Sequence, residues 1–328
     1  AQRRGGFGIV QDTGGALGFA QQAAVGSAVP LIDINALFGD IHHQLIGVYI
    51  FLGFHGACGE ECALGFLIGD AGLAEVILVG DRTMIEDVCR QENIEPSKFT
   101  IVHNPVELKA VAQAVQMVRD GEGDFLMKGL CSTDKFLRAI LNKETGLLPP
   151  KGTLTHCGVI EIPSYHKLLF VGDVAVIPAP DIKQKQVIME CLVKTAKAVG
   201  VEKPKVAILA ATEQVLSSQP ATIEAAMLSK MVERGQIKGC IADGPLALDV
   251  AIDQESVDIK GLVSPVAGDA DCLLFPNIES GNVFYKANSK LVPGVKQSGI
   301  LVGAKVPCVL SSRADSIDTK LNSIAIAA

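Results

Sequence analysis

From Gly47 onward the chain alternates short apolar runs with longer stretches of helical spacing, and that alternation restricts the fold more than any other feature. Val48–Phe54, Glu75–Val79, Phe99–His103 and Asp124–Lys128 read as strands. Glu60–Gly72, Thr83–Glu92, Pro105–Asp120 and a stretch from Ser132 or Thr133 through Leu141 read as helices. Strand following helix at this spacing predicts a parallel sheet covered on both faces.

Gly146, Pro149, Pro150 and Gly152 cluster within Glu144–Thr153, which is turn chemistry and marks a domain boundary. Beyond it, Gly158–Ile162 and Lys167–Val171 read as strands joined by a hairpin-like Pro163-Ser164-Tyr165-His166. Helices are expected at Ile182–Val199, Ala221–Arg234, Leu246–Asp253, Gly281–Leu291 and Ser316–Ala327. Strands are expected at Lys205–Ala210, Gly239–Ala242, Cys272–Phe275 and Val306–Leu310. The reading is an α/β protein of two domains with mainly parallel sheets and an interdomain active-site cleft. The first domain takes residues 1–147 plus 290–328, with 1–40 as an arm of no sustained period, and the second takes 148–289. Ligands of open α/β sheets bind in such clefts.

Composition removes several classes. The 328 residues are 48% hydrophobic with a net charge of −7, too apolar for a disordered chain. No basic block suits a nucleic acid, and no apolar run reaches the roughly 18–20 residues that span a bilayer. Nine scattered cysteines, with only Cys58 and Cys62 close together, read as reduced thiols of a cytoplasmic protein. There is no GxxxxGK[ST], GxGxxG after a strand, GxSxG or HExxH. Neither adjacent His42-His43 nor the lone His156 makes a metal site, and none is expected elsewhere. A dispersed histidine such as His156 reads as a satisfied core or surface residue.

Three strand-to-helix turns carry the chemistry. Ser311-Ser312-Arg313-Ala314-Asp315-Ser316-Ile317-Asp318 precedes a helix with Ile317, Leu321, Ile324 and Ala325 on one face. Asp315 and Asp318 have capping-box spacing, and Ser312 and Arg313 stand just ahead of the helix start. A positive dipole end, free N–H groups and a guanidinium make an anion site there. The plainer alternative is a cap at Asp315 and a surface pair at Arg313. Lys128, Ser132 and Thr133 repeat the logic after Asp124–Lys128, with Arg138 on the following helix. In the third turn Gly281 and Asn282 start a helix carrying Lys286.

Four segments resemble the phosphate acetyltransferase/butyryltransferase family. They are Met127-Lys128-Gly129, Asp243-Gly244-Pro245-Leu246-Ala247-Leu248-Asp249, Ser264 through Asp271, and Ser280-Gly281-Asn282 through Tyr285-Lys286-Ala287. Ser312-Arg313-Ala314-Asp315-Ser316, with Thr319-Lys320, resembles the butyryltransferase branch. The likeness runs from about Leu73 to Ala328. It implies acyl transfer between coenzyme A and phosphate in a ternary complex, butyryl-CoA plus phosphate giving butyryl phosphate plus CoA, with acetyl-CoA as the alternative acyl donor. It further implies two α/β domains of the isocitrate/isopropylmalate dehydrogenase type, no permanently bound cofactor, small-molecule partners (acyl-CoA, phosphate, acyl phosphate), and a homodimer or larger homo-oligomer.

The resemblance makes Ser312 and Arg313 the pair that handles the phosphoryl group and the carbonyl. The acetyl branch has an Asp six residues after that Arg, proposed as base for the thiol; here the position is Thr319. Asp315 and Asp318 then stand in by proximity. Lys128, Ser132, Thr133, Arg138, Asn282 and Lys286 are the substrate-binding candidates. Two other classes compete. A metal- and NAD-dependent decarboxylating dehydrogenase shares the architecture, but its ligands would be Asp269 and Asp271, which precede a strand. A non-catalytic acyl-CoA-binding module is disfavoured by intact Ser312, Arg313 and Lys286.

Overall fold

The computed structural model describes residues 47–53, 74–310 and 315–328. Expectations for residues 1–46, for a helix at 60–72 and for Cys58 and Cys62 lie outside the described residues. The first half alternates as expected: β1 Gly47–Gly53, β2 Ala74–Gly80, α1 Arg82–Gln91, β3 Thr100–His103, α2 Glu107–Arg119, β4 Phe125–Met127 and α3 Thr133–Leu141. The second half adds β5 Thr155–Glu161, β6 Leu169–Gly172, α4 Ile182–Ala198, β7 Lys205–Leu209, α5 Pro220–Glu233, β8 Ile241–Leu246, α6 Leu248–Ile252 and α7 Gln254–Lys260. It closes with β9 Cys272–Leu274, α8 Ile278–Leu291, β10 Lys296–Val302, β11 Cys308–Val309 and α9 Ile317–Ala327.

The eleven strands of the described residues form one sheet in the order β3-β2-β1-β4-β11-β10-β5-β6-β9-β7-β8. β3 through β11 on one side are mutually parallel, and so are β6, β9, β7 and β8 on the other. Between them β10 is antiparallel to both β11 and β5, and β5 is antiparallel to β6. The fold is therefore α/β with a mostly parallel sheet, and its two parallel blocks run in opposite senses.

Side-chain alternation along the strands sorts the core. On one face Met127, Val309, Ile300, Cys157 and Ile208 belong to a single apolar cluster that crosses the sheet, sealed by α1, α4, α5 and α9. The opposite face carries two separate clusters. Leu126, Cys308 and Leu301 pack under α2 and α3. Ile160, Val171 and Leu273 pack with α6 and α7. Each buried Leu, Ile, Val or Phe contributes about 1.5–3 kcal/mol, so both faces are strongly fixed. Between Leu301 and Ile160 the strand positions on the divided face are His156, Gly158 and Gly299.

Four readings need correction. Lys296–Val302 was not expected as a strand, because it opens on Lys, Gln, Ser and Gly; pairing with β5 over seven residues outweighs that weak propensity. β8 continues through Gly244 and Pro245, a sequence that reads as a turn; at the sheet edge a missing N–H is tolerated. The expected helix Leu246–Asp253 is found as α6, Leu248–Ile252, and a helix that was not expected, α7, follows it because the Asp253 side chain accepts from Ser256 N at 2.8 Å and caps it. α8 begins at Ile278 and not at Gly281, since Asn277 caps it by accepting from Ser280 N at 3.0 Å.

Candidate active site

Register sets the end of β4 level with positions in β11, β10 and β5. Met127 pairs with Val309, Val309 with Ile300, and Ile300 with Cys157, so these residues lie at one level across four strands. Lys128 is one residue beyond that level, on the face of Leu126, in the same row as Gly299 and Gly158. With strands about 4.8 Å apart, Lys128 and Gly299 are roughly 10 Å apart along the row. The row falls where the two apolar clusters part, and polar side chains surround it.

Lys128 is 5% exposed. Its backbone N–H donates to the Val309 carbonyl at 3.0 Å, fixing the end of β4 beside β11. Its Nζ donates to the carbonyls of Gly129 at 2.8 Å and Cys131 at 3.4 Å, which hold a buried cation at the mouth of α3. Ser132 caps α3 as expected, its Oγ accepting from Lys135 N at 3.3 Å. A carboxylate already faces this helix start: Glu107 accepts from Ser132 N at 3.0 Å and pairs with the Lys135 ammonium. Thr133 is exposed, and Arg138 lies on the solvent side of α3, paired with Asp134 at 2.9 Å. Neither is drawn into the row.

On the far side, Asn282 sits in the second turn of α8 and donates from Nδ2 to the Val174 carbonyl at 2.9 Å. That bond ties α8 to the turn following β6. A Cβ on Gly281 would lie 2.5 Å from the Asp173 carbonyl oxygen, so only glycine lets helix and turn approach this closely. Lys286, one turn further along, is exposed. Because α8 starts at Ile278, neither Asn282 nor Lys286 lies at a helix N-terminus, and that part of the anion-site expectation fails.

The turn is organised by Asp173, which is 2% exposed. One carboxylate oxygen accepts from Ala175 N at 2.7 Å and Val176 N at 2.9 Å. The other accepts from Thr155 Oγ1 at 2.8 Å, His156 N at 3.2 Å and Ile177 N at 3.3 Å.

Ser312 and Arg313 lie outside the described residues. Asp315, which follows them, does not cap the last helix. The cap is Ser316, whose Oγ accepts from Thr319 N at 3.2 Å, so the capping box expected from Asp315 and Asp318 is corrected. Asp315 instead acts electrostatically on His156 and Tyr285. Asp318 is exposed in the first turn of α9.

Asp269 and Asp271, the carboxylates a metal-dependent dehydrogenase would need as ligands, are held by ammonium groups. Asp269 pairs with Lys167 and Lys205, each at 2.7 Å, and with His166 at 2.7 Å; Asp271 pairs with Lys167 at 3.0 Å. Burial pushes the Asp269 carboxyl up, but the bonds from Lys167, Lys205 and His166 outweigh it and hold the group well below the usual range. Burial raises the thiols of Cys131 to about 11 and Cys157 to about 12, so neither is a ready nucleophile at neutral pH.

The model of the family described as phosphate acetyl/butaryl transferase matches residues 81–328. The chain belongs to that family. It is 48% identical over 257 residues to a phosphate butyryltransferase of Clostridium acetobutylicum, covering 78% of this chain and 85% of that one. It is 41% identical over 271 residues to a phosphate acetyltransferase of Rhizobium meliloti, covering 82% and 85%. Among solved structures, a branched-chain phosphotransacylase from Enterococcus faecalis V583 superposes with a TM-score of 0.74 at 28% identity, over 85% of this chain and 97% of that one. A putative 4-hydroxythreonine-4-phosphate dehydrogenase from Salmonella typhimurium shares the fold alone, with a TM-score of 0.53 at 12% identity over 85% and 98%. The dehydrogenase-type architecture expected from the family resemblance is thus the one found.

Asp173, Tyr285 and His156 were not among the expected site residues. Asp173 and His156 gain their place through the register of β5, β6 and β10, and no spacing in the sequence announces it. Tyr285 stands within a family-like segment, and that segment was its one signal.

Proposed function

We propose that the protein transfers an acyl group between coenzyme A and inorganic phosphate, with butyryl-CoA and phosphate giving butyryl phosphate and CoA. The observation that carries this is the 48% identity to a phosphate butyryltransferase across 85% of that enzyme. The buried Lys128 at the end of β4 agrees with it, since a placed cation suits an anionic substrate.

In this reading Arg313 and Lys128 hold phosphate oxygens, and Ser312 donates to the carbonyl oxygen as it gains charge. Asn282, through the turn it anchors, and Lys286, Ser132 and Thr133 border the coenzyme. Arg138 would take part only from the solvent side. Holding both substrates together allows direct transfer with no covalent enzyme intermediate. Asp315 and Asp318 are the carboxylates nearest the reacting groups in sequence. The substrate site falls between a domain of residues 1–147 plus 290–328 and one of 148–289. The coenzyme is a substrate and not a resident cofactor. The chain works as a homodimer or larger homo-oligomer in the cytoplasm, a reading supported by free thiols at all seven described cysteines. No described helix is long and apolar enough to cross a membrane.

The test is CoA release from acetyl-, butyryl- and octanoyl-CoA, followed with a thiol reagent, with and without phosphate. Release that requires phosphate and is fastest from butyryl-CoA is expected. Equal release in water alone would make the protein a thioesterase. A preference for acetyl-CoA would favour the second reading, which the 41% identical acetyltransferase supports.

A further inference from the structure

His156 is 4% exposed, on β5, where the two apolar clusters of the divided face part. Its Nδ1 is buried and has no hydrogen-bond partner among the described residues. An orphaned buried nitrogen is destabilising and calls for an explanation. The backbone makes deliberate room for it. A Cβ at Gly299 would lie 2.7 Å from both Cε1 and Nε2 of the ring, and one at Gly158 would lie 2.8 Å from the Tyr285 ring. Tyr285 presents its ring to the imidazole edge-on at 6.0 Å, and its hydroxyl donates to the Ser298 carbonyl at 3.0 Å. The titratable groups facing the imidazole are Asp173 from the end of β6, Tyr285 from α8 and Asp315 from the segment before α9; β10 contributes only Gly299. Burial favours the neutral ring, while the Asp173 and Asp315 carboxylates favour the protonated one.

We propose that His156 is the group that takes the proton of the coenzyme A thiol during acyl transfer. The inference rests on the acyltransfer reading above. In the direction from acyl phosphate, the S–H proton passes to the imidazole as sulfur bonds to the acyl carbon. The bond from that carbon to the phosphate oxygen breaks, and phosphate leaves with the electron pair. In the reverse direction the imidazolium returns the proton to the departing sulfur.

Other described groups near the row serve this role poorly. Lys128 is a cation held by carbonyls, and the Cys131 thiol and Tyr285 hydroxyl are pushed up by burial. A carboxylate's usual pKa near 4 lies well below a thiol's near 8.5, whereas an imidazole lies between them. Asp315, whose carboxylate bears on His156, follows Ser312 and Arg313 in the sequence by three and two residues.

The experiment compares wild type with His156→Gln and His156→Asn, using acyl phosphate and CoA across pH 5–9. The expected result is a fall in kcat of roughly 100-fold or more in both variants, with KM for each substrate within about threefold. Wild-type kcat should decline on the acid side as the imidazole gains a proton. The variants should lose that decline and rise toward the thiol's own pKa, near 8.5, as thiolate forms unaided. Variants with near-normal kcat and an unchanged acid limb would overturn the proposal. If neither variant folds, the wild-type acid limb decides alone: an imidazole's pKa falls on warming, and a limb that stays put with temperature assigns the proton to a carboxylate and overturns it. A wild type that shows no phosphate-dependent CoA release at all refutes the acyltransfer reading instead.

Discussion

Replacing Asp173 by alanine should be the most damaging single change in the turn that borders the site. The carboxylate accepts five hydrogen bonds, three of them between 2.7 and 2.9 Å, and its residue is 2% exposed. A bond to a charged acceptor is worth about 1.5–3 kcal/mol net, so the three short ones represent about 4–9 kcal/mol. Relief from burying the charge returns part of that, leaving an expected loss of about 3–5 kcal/mol against domain stabilities of about 5–15. Asparagine is the informative control. One oxygen serves the N–H groups of Ala175 and Val176, and the other serves Thr155, His156 and Ile177. An amide keeps an oxygen on one side only, so Asp173→Asn should lose about 2–3 kcal/mol. Equilibrium denaturation with urea measures both, provided the slope with denaturant stays constant. An alanine variant within 1 kcal/mol of wild type, or an asparagine variant as damaged as alanine, would refute the division of bonds described above.

Three further outcomes are expected. Ser316→Ala should lower stability by about 1 kcal/mol in the same denaturation assay because it removes the α9 cap. Arg313→Ala should reduce kcat/KM for phosphate by roughly 30- to 1000-fold, with Arg313→Lys between, because lysine keeps the charge but not the two-pronged donor; kinetics with varied phosphate, and melting temperature as control, check it. Asp269→Asn should lose stability at neutral pH. The native carboxyl is held below its unfolded value, so its contribution is complete above about pH 4 and fades only as pH falls further toward the native value. Denaturation of wild type and variant at pH 7 and pH 3 should therefore show the gap narrowing; a gap that is constant with pH contradicts the role of the Lys167 and Lys205 bonds.

The sequence was legible wherever local pattern and tertiary need agreed. α4, expected at Ile182–Val199, is found at Ile182–Ala198, where the side chains of Asp181 and Gln184 form a reciprocal cap. The hairpin through Pro163–His166 joins β5 to β6 in antiparallel pairing as read. Legibility ended where distant chain decides. β10 has a polar start and owes its conformation to β5, about 140 residues away in register pairs such as Gly299 with Gly158. His156 looked like one dispersed histidine, and only that register sets it opposite a glycine cleared for its ring. The positions of Lys128 at a strand end and Ser132 as a helix cap are legible because a strand end followed by a cap is a local signal. That of Asp173 is not, because its partners at Thr155 and His156 lie on another strand.

The strand order also bears on how the chain folds while it is being made. β10 and β11, which follow residue 295, occupy the middle of the sheet, between β4 and β5. On a ribosome β1 to β9 all emerge before the pair that joins the two sides. Until then β4 and β5 each carry an unpaired edge, a state that invites pairing with other chains. A truncation ahead of Lys296 would therefore leave two half-sheets with open flanks, because the central pair completes the sheet only after the strands on both sides of it are made.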